Sequence, residues 1–262
     1  MNATAETPCV LSSTVAGVCT VTLNRGDRFN ALSRSMLAAL EAELDRIAAD
    51  RDVRVVVLAA AGRGFCAGHD LKELRAHADA AWQRELFAAC SRTFTKLTAL
   101  PQPVIARVHG IATAAGCQLV SMCDLAVAAH TATFALPGVN IGVFCSTPAV
   151  GVVRNVGRKR AMEMLLTGSP VDAATAVAWG LVNRAVPAEA LDAEVAALAA
   201  TIAGKSPAVV ALGKRAFYRQ VDETLAAAYA STVEAMACNL LEPDAAEGID
   251  AFLGKRPPVW GG

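Results

Sequence analysis

The chain predicts an α/β core followed by a mostly helical last third, and three observations carry that reading. Strand and helix signals alternate through the first half, which favours crossover connections in one sheet. Two segments, "VRVVVLAAAG" (Val53 to Gly62) and "PVIARVHG" (Pro103 to Gly110), are nearly continuous apolar runs, as in strands covered on both faces. After Pro148 the texture changes to Ala-rich stretches punctuated by Gly and Pro.

Taken in order, "GVCTVTLNR" (Gly17 to Arg25) alternates β-branched and small residues and stops at a turn, so it reads as a strand. Ser33 then caps a helix whose apolar positions Leu37, Leu40, Leu44 and Ile47 recur three or four apart. The two apolar runs follow as buried strands. "ATAAGCQLVSMCDLAV" (Ala112 to Val127) reads as an apolar helix opened by small residues. Beyond Pro148, "RKRAMEMLLTG", "DAATAVAWG", "ALDAEVAALAATIAG" and "SPAVVALGKRAFYRQV" all read as helices. No internal repeat and no low-complexity linker divides the chain.

Composition narrows the function. With 262 residues, 54% of them hydrophobic, the chain buries a large core. Its 24 basic and 24 acidic residues are mixed along the sequence, so no basic stripe points to nucleic acid or to an anionic membrane. Apolar runs break well before a membrane-spanning length. A small-molecule site or self-association is the better expectation. The eight cysteines include no C-x-x-C pair and sit mostly in apolar runs, as small buried hydrophobes in a reducing compartment do. "MNATAETPCV" lacks a basic segment followed by an apolar one, and the expectation is a cytoplasmic protein.

Each of the two most hydrophobic strands runs into a turn of small residues, "AAAGRGFCAGHDLKEL" (Ala59 to Leu74) and "RVHGIATAAGCQLV" (Arg107 to Val120). Small side chains allow close approach of a ligand, and a helix start leaves amide N–H groups unpaired. Two such turns can aim two N–H groups at one oxygen, with Ala67 and Ala115 as candidate donors of an oxyanion hole. Close helix–strand packing explains the same small residues without any ligand. Phosphate binding has no support, since neither phosphate-loop glycine pattern occurs.

"FCAGHDLKEL", "PVIARVHGIATAAGCQLVSMCDLAVA", "FALPGVNIGV", "GRKRAMEMLLTG" and "AVAWGLVNRAVP" together resemble the enoyl-CoA hydratase/isomerase (crotonase) family, in its order and spacing. With "LNRGDRFNALS" and "AFLGKRPPVW", the resemblance spans almost the whole chain. It implies a crotonase-like spiral of ββα units over residues 1–200, carrying the acyl-CoA site, and a helical trimerisation region over 201–262. It also implies homotrimers or homohexamers and an acyl-CoA thioester as substrate, with no cofactor besides, coenzyme A being part of that substrate. The thioester oxygen would accept from the amides of Ala67 and Ala115, the latter a Gly in many members. Coenzyme A contacts would fall on Arg28, Phe29, the Ala67 to Asp70 turn (with Gly68 and His69), and on Phe252 and Lys255 reaching over from a neighbouring subunit.

Hydratases of this family use two glutamates. In this sequence those places hold Gln118 and Gly138. An amide holds water but does not exchange protons near neutral pH, and glycine contributes no side chain. The resemblance therefore implies hydratase turnover near background, raised by Gln118→Glu together with Gly138→Glu. The same gap affects the isomerase reading, which relies on an acid at position 138. An undemanding reaction such as thioester decarboxylation, or a non-catalytic acyl-CoA-binding or regulatory trimer, is the alternative. Substitute groups are Cys145, Ser146, His69, Asp70 and Asn140, each with a plainer role in packing, capping or turn formation. His109 reads as bonded to backbone; His77 and His130 form no cluster for a metal.

Overall fold

In the computed structural model, which describes residues 7–261, the alternating stretch near the N-terminus is a strand with Cys19, Val21 and Leu23 sealed in the core. This strand, β2 (Val18–Leu23), pairs antiparallel with β1 (Val10–Val15) and parallel with β3 (Val55–Ala60). Every residue of β3 is buried, as its unbroken apolar run requires. The sheet continues through β4 (Val104–Val108), β6 (Leu125–Ala129) and β9 (Arg184–Val186), all parallel. The crossovers carry α1 (Arg34–Ala49), α2 (Leu71–Ala76) and α3 (Ala80–Ala99). Ser33 accepts the Met36 N–H at 3.2 Å and starts α1, whose Leu37, Leu40, Leu44 and Ile47 face the core.

A second sheet of three short strands, β5 (Ala112–Thr113), β7 (Thr133–Ala135) and β8 (Val171–Asp172), lies beside the first. A strand, a short strand and a helix recur as a unit, first β4, β5 and α4 (Ala115–Ser121), then β6, β7 and α5 (Ser146–Val156). The apolar run Ala112 to Val127 is therefore not one helix, as its composition suggested. It is β5, α4, a turn and the start of β6. Asp124 stands at the break, where its carboxylate accepts the Val104 N–H at 2.6 Å and the Lys214 ammonium at 2.7 Å.

The last third is helical apart from β8 and β9, with α6 (Arg158–Thr167), α7 (Ala173–Trp179), α8 (Leu191–Ala203), α9 (Pro207–Gln220), α10 (Leu225–Leu240) and α11 (Pro243–Leu253). Leu191, Val195 and Ala199 of α8 cover one face of the large sheet at Val55, Val57, Ile105 and Val127. The other face holds the main core. Lys214 docks α9, donating to the carbonyls of Leu97 and Gln102 at 2.8 and 2.9 Å as well as to Asp124. Burial pulls the Lys214 ammonium below its usual range, and the Asp124 carboxylate opposes that. α10 leaves Leu225, Tyr229, Val233, Met236 and Leu240 exposed along one stripe, next to Phe217 and Val221.

Six of the cysteines are buried and free; Cys9 is half-buried and Cys238 exposed. Among the described residues, no single helix is long and apolar enough to cross a membrane. No group of three or more His, Cys, Asp or Glu among them is disposed to hold a metal ion. Residues 1–6, on which the reading of the N-terminus partly rests, lie outside the described residues.

Candidate active site

The turn after β3 and the turn after β4 are bonded to one another. Phe65 and Cys66 both donate N–H to the Ile111 carbonyl at 3.0 Å, and Thr113 N–H donates to Cys66 O at 2.9 Å. The Thr113 hydroxyl closes the gap with a 3.1 Å bond to Ala67 O. Backbones this close leave no room for side chains. A Cβ on Gly68, whose φ is +90°, would stand 2.9 Å from the Ala114 Cβ and 3.3 Å from the Ala115 nitrogen. Gly116 is tighter: a Cβ there would meet the Cys66 carbonyl carbon at 2.7 Å, with the carbonyl oxygen closer still. Ala114, at φ 50° and ψ −120°, makes the sharp entry into α4 without a side-chain cap.

The bonding pattern corrects one candidate donor. Ala67 lies in the turn, but its N–H is already given to Phe29 O at 3.0 Å. Two residues on, a parallel bridge joins Leu32 and His69, with Leu32 N–H donating to Gly68 O at 2.8 Å and Asp70 N–H reaching Leu32 O at 3.5 Å. Parallel pairing through the two flanking residues turns the N–H of His69 itself to the opposite side. That N–H has no acceptor among the described residues, and neither has Ala115 N–H at the start of α4. The free amides of this junction are thus His69 and Ala115.

Two hollows of contrasting character flank the first turn. One, of about 490 Å³, is mostly apolar, lined by Ala67, His69, Leu74, Phe87, Ala114, Ala115 and Pro137 and by the segment from Asn140 to Pro148. Leu71, Ile141, Val143 and Phe144, all exposed, form its lip. The other, of about 460 Å³, is polar, lined by Asn24, Arg25, Asp27, Arg28, Ser33, Ser35 and Asp70. Asp70 caps α2, accepting from the N–H groups of Lys72 and Glu73 at 2.9 and 3.2 Å.

The remaining candidates are dispersed. Gln118 is 5% exposed on α4, its Oε1 buried without a partner, and it is not among the residues lining the apolar hollow. Gly138 lines the hollow, but a Cβ there would lie 2.8 Å from the Cys145 sulfur and nearer still to Val143 O. Cys145 also lines it, with burial pushing its thiol up. Arg28 is exposed in the polar groove, and the Phe29 ring lies under the Arg63 guanidinium at 5.3 Å. Phe252 is 83% exposed and lines a separate hollow with Val209, Leu240 and Trp260; Lys255 lines neither hollow of the turn. His109 donates from Nε2 to Gly62 O at 2.9 Å, as its position after a strand suggested. His77 stacks on Trp82 at the surface and His130 is exposed.

Sequence reasoning missed Asn30, Thr113 and Phe87. Asn30, fully buried, donates to Ala61 O and Gly64 O and accepts the Arg25 N–H, locking the Arg25 to Asn30 loop beside the β3 turn. Its signal was an asparagine between Phe29 and Ala31, outside any turn pattern.

The enoyl-CoA hydratase/isomerase family model matches residues 13–262. The rat enoyl-CoA hydratase domain-containing protein 3 is 46% identical over 93% of this chain and 81% of its own length. A probable enoyl-CoA hydratase of Mycobacterium leprae is 35% identical over 91% and 92%. Among solved structures, an enoyl-CoA hydratase of Mycobacterium smegmatis superposes with a TM-score of 0.96 at 54% identity, covering 98% of this chain and all of that one. Human enoyl-CoA hydratase domain-containing protein 3 gives 0.94 at 44%, over 96% and 100%. These relatives also overturn the cytoplasmic expectation, because the rat and human proteins are named mitochondrial. The repeated strand–strand–helix unit, the paired turns and the match over nearly the whole length lead to one assignment: the chain has the crotonase fold and belongs to the enoyl-CoA hydratase/isomerase family.

Proposed function

We propose that the protein binds an acyl-CoA thioester across the β3 turn and stabilises the enolate of that thioester. The polar groove with Arg25 and Arg28 takes the charged coenzyme end, and the apolar hollow takes the acyl chain. The thioester carbonyl sits at the junction, accepting from His69 N–H and Ala115 N–H in place of the pair Ala67 and Ala115. One observation carries the reading: the two residues whose amides lack acceptors, His69 and Ala115, both line the apolar hollow, and Asp70, next to His69, lines the polar one. Removing one donor from such a pair typically costs ~10²–10³ in rate. Calorimetric titration with crotonyl-CoA should give saturable heat and a thermal shift. No response at millimolar ligand would refute the proposal.

The site is completed by oligomerisation. Phe252 and Lys255 serve a neighbouring subunit's coenzyme, residues 201–262 form the contact, and the exposed α10 stripe is what the contact covers. Light scattering should find a trimer or hexamer; a monomer at micromolar concentration would remove the roles given to Phe252 and Lys255. A non-catalytic acyl-CoA-binding trimer is the second reading, favoured by an apolar hollow that no carboxylate lines among the described residues. Turnover across a panel of acyl-CoA thioesters separates the two.

A further inference from the structure

The tail after α11 is fastened at several points although most of what it presents is exposed. Glu247 of α11 accepts both Arg256 guanidinium nitrogens, at 2.6 and 2.7 Å, and the same carboxylate accepts the Val259 N–H at 2.8 Å. Such a forked pair fixes orientation as well as distance, unlike a single-point surface ion pair. The Arg256 guanidinium, aided by the Val259 N–H, holds the Glu247 carboxyl down at about 2, so it is ionised at neutral pH. Trp260 lies on Gly248, where a Cβ would stand 3.3 Å from two ring carbons, and its indole N–H donates to Gly204 O at 2.9 Å. Gly261 N–H donates to the buried Asp244 carboxylate at 2.8 Å. Pro257 and Pro258 stiffen the span between the Arg256 and Val259 bonds.

These bonds close around the end of α11. There Arg256 N–H donates to Ala251 O at 3.0 Å and Lys255 N–H to Phe252 O at 3.2 Å, the pattern that ends a helix with one left-handed residue. That residue is Lys255, at φ +52°, a place where glycine is usual because a Cβ is strained there. Gly254, one position earlier, keeps a helical φ of −78°. The turn therefore carries a long cationic side chain where none is needed to make it, and Phe252 beside it is 83% exposed. What the fastening fixes is the direction in which these two side chains are presented.

We propose that Glu247 is a positioning residue for coenzyme binding: by clamping Arg256 and Val259 it holds the Phe252 to Lys255 turn in the geometry that meets a neighbouring subunit's coenzyme. The inference rests on the thioester and oligomer readings above. An aromatic ring and an ammonium suit a base and a phosphate, which only the nucleotide end of coenzyme A carries. Glu247 itself touches no ligand. It orders the two side chains before the coenzyme arrives, so that binding does not have to immobilise them.

Calorimetric titration should compare crotonyl-CoA with crotonyl-pantetheine, which carries the same thioester and lacks the nucleotide. Glu247→Gln should weaken crotonyl-CoA binding ~10-fold, the order expected when two side chains are freed, and leave crotonyl-pantetheine within about twofold. General loss of structure would not produce that split. The loss should add only in part to that of Phe252→Ala, since part of it passes through the same ring. Hydrogen exchange on the natural protein needs no variant: the Lys255 and Arg256 amides should be protected before ligand is added and gain little afterwards. Equal losses for both ligands, no loss for either, full additivity with Phe252→Ala, or a turn protected only once crotonyl-CoA is present would each overturn the proposal. A natural protein that binds both ligands equally well would remove the coenzyme roles of Phe252 and Lys255, and this proposal with them. Absence of heat with either ligand would instead refute the thioester reading itself.

Discussion

Crotonyl-CoA hydration by the natural protein is expected near background, and Gln118→Glu combined with Gly138→Glu is expected to leave it there. The first half follows from two absent acid–base groups, each typically supplying ~10²–10⁴. The second half reverses what the sequence suggested. A Cβ at position 138 would lie 2.8 Å from the Cys145 sulfur and nearer to Val143 O, and that oxygen is backbone in a loop closed by the 2.9 Å bond from Val143 N–H to Gly138 O. A glutamate there must unseat the Gly138 to Cys145 segment, which also forms much of the hollow's wall. At position 118 the new carboxylate would enter a helix buried along its whole length, where Gln118 Oε1 already lacks a partner. Desolvation would keep it protonated near neutral pH, unable to act as a base. Loss of enoyl absorbance in a stopped assay measures the outcome. A double variant hydrating at rates usual for enzymes, ~1–10³ per second, would show that the loop yields and that only the acids were missing.

How much of this was legible beforehand depends on which physical signal each part left in the chain. The Ser33 cap and the Leu37 to Ile47 stripe were legible because helix periodicity and capping are local. β3 and β4 were legible because burial on both faces demands unbroken apolar runs. β5, β7, β8 and β9 were not: two or three residues are too few to establish an alternation, and their pairing partners lie far along the chain. β1 was missed because "VLSSTV" is exposed nearly throughout. The two turns were found as a pair, since both follow buried strands and both are rich in small residues. The choice between Ala67 and His69 as donor was not available, because it depends on which side of the Leu32 bridge each N–H faces. Strand-side parity of that kind is a property of pairing and leaves no mark on composition.

Gly116→Ala should be among the most damaging single-methyl changes in this chain, and it reports on the paired turns more directly than any charged residue does. The added Cβ would stand 2.7 Å from the Cys66 carbonyl carbon and 2.9 Å from its Cβ, with the carbonyl oxygen inside both. Neither partner is free to move. Cys66 is held by bonds to Ile111 O and from Thr113 N, its thiol reaches Asn30 O at 3.3 Å, and its neighbour Ala67 is held by Phe29 and by the Thr113 hydroxyl. Relief therefore requires the start of α4 to back away from the β3 turn, carrying the Ala115 amide away from the His69 amide. Overpacking of this kind typically costs ~1–3 kcal/mol or more, measurable as a lowered midpoint in urea. The functional loss should exceed what that destabilisation predicts. A catalytic group displaced by about 1 Å can lose ~10²-fold in rate, so thioester affinity and C2 proton exchange should both fall sharply in protein that is still folded. Ala115→Gly provides the comparison: it keeps the N–H, removes only a methyl group, and should leave affinity within a few fold of the natural protein. If Gly116→Ala retained both stability and exchange, the contact between the two turns would not be what aligns the amides, and the assignment of His69 N–H and Ala115 N–H as partners would fail with it.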